Sequence, residues 1–458
     1  MPRSPFRGLP REVAVLTAIS FTVALGYGIV APAIPAFARQ FGVSTAAAAG
    51  VISAFALMRV AAALPAGRLV DRFGEHAVMA AGIAVVAVSS VLAGFSQSFV
   101  QLLVLRGAGG VGSAMFSISA QTLLLVSVPG GQRGRASGLF SGGFLVGGIS
   151  GPAVGGLVAA WSLRAPFLIY GGLLVVPAVI AAFGLRDPSA QPATETRPAR
   201  TFATIARALR SSAYRAAASA NLADGFAVMG VRSAIVPLYV RDVLHRSAFW
   251  TGLGFLVFAA LNAATLLSGG WAADALGRRP VIVAGCTVCA GGLVMLAFLP
   301  SLSGYLAALA VAGLGSGLLD VAPSAMIGDI LGAHGGGGTS RAREREEPGG
   351  GRPVGAGAER GGGTSRARGR EERSGSLVAT YQMAGDTGAV TGPVVAGLLV
   401  DTYSYAAAFE VAAAALGLAA VLGLFAPETR PRTQAAVRSG ERPTGASAAE
   451  DSQPSTRR

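Results

Sequence analysis

Gly147-Gly-Ile-Ser-Gly151-Pro152-Ala-Val-Gly155-Gly156 decides how this chain is read. The stretch lies inside an apolar run from Gly138 to Ala160. Glycines at 147, 151 and 155 recur at every fourth residue, so on a helix they stack into one stripe without side chains. Such a stripe lets a second helix approach closely, which is how small residues hold helices together in lipid. Pro152 at its centre removes one backbone hydrogen bond and bends the helix. Glycine spacing alone would describe any packing face; the proline and the closing Gly155-Gly156 pair make the stretch particular. It is echoed at Gly388-Ala-Val-Thr-Gly392-Pro393-Val-Val-Ala396-Gly397, 241 residues further on. An echo at that distance points to a duplicated protein.

Composition sets the surroundings of this stretch. The 458 residues are 52% hydrophobic and only 13% charged, with a mean hydropathy of +0.56. A soluble domain carries about 25% charged residues, so the chain reads as a membrane protein. The formal charge is +14, and all 37 basic residues are arginine. The arginines sit between apolar runs instead of on a soluble basic face, which argues against a nucleic-acid partner. Cys286 and Cys289 form a C-x-x-C that would suit redox chemistry or half a zinc site. With no second pair and no nearby histidine, they read as small core residues. No Walker A pattern and no His/Cys/Asp cluster is present, so no cofactor, metal or catalytic residue is expected, and an enzyme is not.

Apolar runs long enough to span a bilayer as helix recur twelve times. The first six cover 13–37, 46–66, 77–96, 99–126, 137–160 and 165–185; the second six cover 216–240, 249–271, 280–300, 304–331, 376–400 and 405–426. Ala31-Pro32-Ala33 resembles a cleavage site, but a signal peptide has a shorter apolar region, so the first span is expected to stay as a helix. The organisation expected is a segment 1–12, a six-helix bundle 13–185, a linker 186–214, a second bundle 215–426 and a disordered tail 427–458. The linker holds a possible amphipathic helix at 202–209. Arginines set the orientation. With a cytoplasmic N-terminus, only Arg39, Arg164, Arg241 and Arg246 fall in loops on the far side, and the positive-inside rule places both termini in the cytoplasm of a plasma-membrane protein.

Within the second bundle, 335–373 reads as a disordered, repetitive insertion. Gly-Gly-Gly-Thr-Ser-Arg-Ala-Arg occupies both 336–343 and 361–368, and Arg345-Glu-Glu347 returns as Arg370-Glu-Glu372. The insertion also explains the spacing of the larger repeat. Gly67-Arg-Leu-Val-Asp71-Arg72-Phe-Gly74 returns 203 residues later as Gly270-Trp-Ala-Ala-Asp274-Ala-Leu-Gly277. The glycine-proline motifs are 241 apart, and the difference nearly equals the 39-residue insertion. Two homologous six-helix halves, one of them interrupted, account for both offsets.

These motifs resemble those of the major facilitator superfamily. Gly67-x-x-x-Asp71-Arg72-x-Gly74 is similar to its signature between helices two and three. Arg106-x-x-Gly109-Gly110-x-Gly112 is similar to the fourth-helix signature of its proton-coupled exporters, and Gly147 to Gly156 to their fifth-helix signature. Together they resemble the twelve-helix drug/proton antiporter branch. The resemblance implies an all-α integral membrane fold of twelve transmembrane helices in two pseudo-symmetric six-helix bundles, functioning as a monomer. It also implies that Asp71 meets the start of helix eleven at 376–378 and that Asp274 meets the start of helix five near Ser137. Gly67 and Gly74 are expected to supply unusual backbone angles, and the two aspartates to be held by helix dipoles. Two departures stand out: Glu75 and His76 follow Gly74 where the family carries basic residues, and the first span has no acidic residue inside it.

Charged residues inside the spans are the sharpest evidence for function. Each costs roughly 2.5–3.5 kcal/mol at the bilayer centre, so it faces protein or water. Arg106 lies in span four, Asp224 and Arg232 in span seven, and Asp320 in span ten. By the resemblance, helices one, four, seven and ten line a central cavity. These four residues are the candidates for proton coupling or cavity lining, since a carboxylate withdrawn from water holds its proton more readily. Phe226, Tyr239, Phe255 and Phe258 are candidate cavity walls, with ordinary packing the default for each. Arg59 in span two and Asp386 in span eleven are placed between the halves, as gating or structural residues; Gly392 and Pro393 are placed with the packing motif.

The function expected is a secondary transporter that binds a small molecule between its halves and alternates access by rocking them. Protons are the coupling ion, and the lipid bilayer is the only other partner. Export of drugs or amphipathic metabolites is the leading expectation; proton-coupled or facilitated uptake of a nutrient, and a non-transporting receptor or scaffold, are the alternatives.

Overall fold

The computed structural model describes residues 9–128, 132–183, 210–336 and 360–429. Among them there is no β-strand, and twelve helices are long and apolar enough to cross a membrane. The first half holds α1 (Arg11–Arg39), α2 (Thr45–Phe73), α3 (Glu75–Gly94), α4 (Phe99–Ser127), α5 (Arg133–Trp161) and α6 (Ala165–Phe183). The second holds α7 (Ser212–Asp242), α8 (Ala248–Leu276), α9 (Arg278–Phe298), α10 (Leu302–Gly336), α11 (Arg360–Thr402) and α12 (Tyr405–Leu424).

Local chemistry sets the helix ends. Ser44, Ser98, Ser211 and Ser404 each accept a hydrogen bond from the backbone N–H three residues on, opening α2, α4, α7 and α12. Gly74 and Gly277 end α2 and α8 at φ of 82° and 107°, where a side chain would be strained. They lie 203 residues apart, so the repeat extends to backbone geometry. α1 breaks at residues 31–33, where Pro32 lacks an N–H.

The glycine-proline stretch forms a close backbone contact in each half. A Cβ built on Gly28 of α1 would lie 2.9 Å from both Gly151 Cα and Pro152 Cδ of α5. A Cβ built on Gly230 of α7 would lie 2.9 Å from both Gly392 Cα and Pro393 Cδ of α11. Gly147, Gly151 and Gly155 meet the carbonyls of Phe21, Leu25 and Ile29 in turn. The α1–α5 and α7–α11 crossings are therefore the same crossing made twice, with backbone against backbone. Gly156 faces the other half instead, where its Cβ would lie 2.6 Å from Gly252 Cα of α8. Gly397, its counterpart in the repeat, meets Ala46 at the start of α2.

Several expectations need correction. Gly67 is inside α2 and takes helical angles; only Gly74 in that motif has a positive φ. The helix α11 begins at Arg360, so residues 360–373, expected to be disordered, have helical backbone; the alanine, arginines and glutamates of 366–372 are strong helix formers. Residues 337–359, the linker helix at 202–209 and the tail beyond 429 lie outside the described residues. The first residues of that tail are ordered: Glu428 accepts bonds from the N–H groups of Arg278 and Arg279 at 2.8 and 3.1 Å, capping α9.

Candidate functional site

α4 and α2 pack closely because Gly110 of the fourth-helix motif meets the carbonyl of Phe55. The same contact is made by Gly313 of α10 with Phe258 of α8, each partner 203 residues later. Phe55 and Phe258 thus occupy equivalent places, and both carry a guanidinium. Arg106 of α4 stacks over the Phe55 ring at 4.8 Å. Arg232 of α7 stacks over Phe258 at 4.2 Å and Phe255 at 4.7 Å. Such stacking holds a cation where water is scarce.

The two arginines differ in what else they touch. Arg106 is only 3% exposed, and its Nε is buried without a hydrogen-bond partner. Its ionisable neighbours are the phenols of Tyr27 and Tyr170. Arg232 donates from Nε to the Val228 carbonyl at 3.2 Å, and its ionisable neighbours include Asp224 and, again, Tyr27. One phenol on α1 thus lies within electrostatic reach of a cation from each half.

The carboxylates gather in the second half. Asp224 accepts a bond from Ser316 Oγ of α10 at 3.2 Å. Asp320, one turn further along α10, accepts from Asn262 Nδ2 of α8 at 2.9 Å. The two aspartates act on each other electrostatically, and Tyr381 of α11 senses both. Neither forms an ion pair among the described residues. The helix carrying Asp224 is unusual: Gly225–Arg232 is a π-helix between two α-helical segments. Wider turns of this kind recur at functional sites. Its presence means that the angular relation of Asp224 to Arg232 is not the one that α-helical periodicity gives.

The sequence candidates for the gate divide. Arg59 and Asp386 do meet across the halves, with Arg59 Nη2 2.6 Å from Asp386 Oδ1. Among the described residues, Asp71 and Asp274 do not make the expected contacts. Asp71 is exposed on the last turn of α2 and takes no hydrogen bond among the described residues, while Arg72 beside it stacks on Phe73 at 5.2 Å. Asp274 pairs with Arg278 Nη1 at 2.5 Å within its own half. The physical reason is helix length. α11 and α5 begin at Arg360 and Arg133, so residues 376–378 and Ser137 lie inside helices and offer no free N-terminal N–H groups. Asp329 of α10 is bonded to the same Arg278 through Nε at 3.1 Å.

The expected physics occurs elsewhere. Asp401, at the end of α11, accepts the N–H of Thr45 at 2.9 Å and of Ala46 at 2.8 Å, capping α2 of the other half. Sequence reading missed it, together with Asn262, Ser316 and the roles of Phe55 and Tyr27. An acidic residue closing span eleven, opposite the Ser44-Thr45 helix start, was the available signal. Tyr239 packs ordinarily, edge-on to Tyr405 and Phe409. Cys286 and Cys289 are buried free thiols.

Residues 16–340 match the family described as Major Facilitator Superfamily. An uncharacterized MFS-type transporter of Methanocaldococcus jannaschii is 23% identical over 323 residues, 69% of this chain and 82% of that protein. Multidrug resistance protein 1 of Bacillus subtilis is 29% identical over 181 residues, 39% of this chain and 46% of that protein. Quinolone resistance protein NorA of Staphylococcus aureus is 26% identical over 178 residues, with the same shares. The matches to these last two span less than half of their length. Among solved structures, a bacterial homolog to human lysosomal transporter Spinster, in an inward-facing and occupied conformation, superposes with a TM-score of 0.68 at 15% identity, covering 90% of this chain and 95% of that one. Nucleoside transporter NupG superposes at 0.67 and 13% identity, covering 91% and 98%. At such identities these two likenesses bear on the fold alone.

Proposed function

The chain belongs to the Major Facilitator Superfamily, and we propose that this secondary transporter is a proton-coupled exporter of amphipathic compounds. It is a multi-pass integral membrane protein, and its family moves small molecules across membranes. Substrate binds between the halves near mid-depth, and rocking of the halves exposes it to one side and then the other. Both termini lie in the cytoplasm of a plasma-membrane protein, as the arginine distribution favours.

One observation carries the coupling. Asp224 and Asp320, from α7 and α10, lie within electrostatic reach of each other and are held by the neutral groups of Ser316 and Asn262. A proton added to either relieves the repulsion between them. Neither carboxylate is ion-paired among the described residues, so a proton or a cationic group can act on the pair. Arg232, on the same helix as Asp224, adds a fixed charge that responds to whether the pair is protonated. Arg59 and Asp386 pair across the halves, which supports a role in opening and closing with the cycle. The partial likeness to multidrug and quinolone resistance proteins supports export and an amphipathic substrate.

Energised inverted vesicles carrying the full chain and a pH-sensitive dye test this reading. Lipophilic cations, neutral antibiotics and small organic acids are added in turn, with Asp320→Asn beside the wild type. Substrate-triggered proton release from wild type alone is the expected result. Release that persists in both Asp320→Asn and Asp224→Asn removes these carboxylates from coupling. Accumulation of a nutrient in whole cells, driven by the proton gradient, would overturn export.

A further inference from the structure

Arg106 is the buried charge that the coupling scheme leaves unused. Its side chain is enclosed, its Nε has no partner, and among the described residues none of its N–H groups donates a hydrogen bond. No carboxylate is among its ionisable neighbours, which are Tyr27 and Tyr170. Buried polar groups are paired in the great majority of cases, and a guanidinium offers five donors in a planar fork suited to a carboxylate or phosphate. The Phe55 ring covers one face of that fork, which leaves its edge for a partner. Arg232 of the other half, its guanidinium on Phe255 and Phe258, lies within electrostatic reach of the same phenol, Tyr27.

We propose that Arg106 receives the anionic group of the transported substrate at the Tyr27 side of the interface, with Arg232 as a second cation and the Phe55, Phe255 and Phe258 rings beside its apolar body. The substrate class is then an aromatic or amphipathic organic acid, or a zwitterion whose amine faces Asp320. This rests on the transporter reading and narrows it. The charge distribution explains why the class follows. The first half offers an uncompensated cation, whereas Asp224 and Asp320 both belong to the second half, where Arg232 lies within electrostatic reach of Asp224 and of Tyr27. An organic cation has no reason to seek Arg106, which has no carboxylate among its ionisable neighbours, whereas an organic anion finds unpaired N–H groups there. An anion held between Arg106 and Arg232 also bridges the two halves, so its binding is tied to their relative position.

The test uses three probes with one ring system: 2-naphthoate, 2-naphthylmethylammonium and 2-naphthylmethanol. Binding to the purified full chain in lipid nanodiscs is measured by scintillation proximity with tritiated probes, and counterflow of each probe is measured separately in proteoliposomes. Wild type is expected to bind the naphthoate at least about tenfold more tightly than the other two, the scale of a charge-assisted contact. Arg106→Gln should abolish that preference and Arg106→Lys should keep it at lower affinity. Phe55→Leu should weaken naphthoate binding several-fold while keeping the preference, and it serves where Arg106→Gln does not fold. Equal or better binding of the ammonium probe by wild type, or an anion preference that survives in folded Arg106→Gln, overturns the proposal. Anion preference with no counterflow of any probe supports the site and refutes transport. Counterflow of the ammonium probe alone refutes the site and leaves transport standing.

Discussion

Phe55 and Phe258 stand 203 residues apart, at equivalent places in the two halves, and each lies beneath an arginine guanidinium. The arginines themselves are not equivalent. Arg106 comes from α4, the fourth helix of its half, and Arg232 from α7, the first helix of the other. Duplication supplied two identical aromatic seats, and each half then filled its seat from a different direction. The scaffold is symmetric to the level of individual carbonyl contacts, while the charges it carries are not.

Packing at the glycine-proline crossing predicts opposite outcomes for two glycines three residues apart. A Cβ at Gly151 would lie 2.5 Å from the Leu25 carbonyl, whereas a Cβ at Gly148 meets nothing within 4 Å. Gly151→Ala should destabilise by about 1–3 kcal/mol through overpacking. Gly148→Ala should be neutral or stabilise by up to about 1 kcal/mol through helix propensity. Thermal melting of the purified variants distinguishes them, and equal melting temperatures would show that the crossing is looser than described.

Removing the cap on α2 should loosen the contact between the halves at that end. Asp401→Ala deprives the Thr45 and Ala46 N–H groups of their acceptor, at a cost of about 0.5–2 kcal/mol. In a background with Cys286 and Cys289 replaced by alanine, a single cysteine at Val43 should react faster with a soluble maleimide when Asp401 is gone. An unchanged labelling rate would mean that the cap does not hold the halves together.

The Arg59–Asp386 pair should matter more for transport than for stability. Its side chains are 44% and 31% exposed, so a double-mutant cycle on melting should return no more than about 1 kcal/mol. Transport should fall in Arg59→Asp and recover substantially when Asp386→Arg is added. Absence of recovery would exclude a direct role for the pair in the cycle.

A cut in the chain tests the tail. Ending the protein after Thr429 should leave the melting temperature in place, because Glu428 still caps α9 and Thr429 Oγ1 still donates to Asp329. Glu428→Ala in the full chain should lower stability by about 0.5–2 kcal/mol. The reverse order of effects would place the tail's contribution beyond residue 429.

The sequence carried the architecture because two of its signals are redundant. Twelve apolar runs and a repeat at two offsets describe the same duplicated bundle, and the Gly28–Pro152 and Gly230–Pro393 crossings follow from glycine spacing. Arg106, Asp224, Arg232 and Asp320 were visible because a charge inside an apolar span is costly wherever it points. Their partners were not. Asn262, Ser316 and Tyr27 are ordinary residues in ordinary spans, and only the tertiary fold brings them to the charges. For Asp71 and Asp274 it was the helix starts that could not be read: charged, arginine-rich turns extend α11 and α5 past the apolar runs that mark them.

The π-helical stretch Gly225–Arg232 holds more residues per turn than the α-helix on either side. Returning a single turn of it to α geometry would displace the remainder by one residue, a rotation of roughly 100° about the helix axis. A short slip in register could therefore swing Arg232 away from its phenylalanines while Asp224 stays with Ser316. In that sense α7 is built as a rotary joint, and its two charges belong to opposite sides of the bearing.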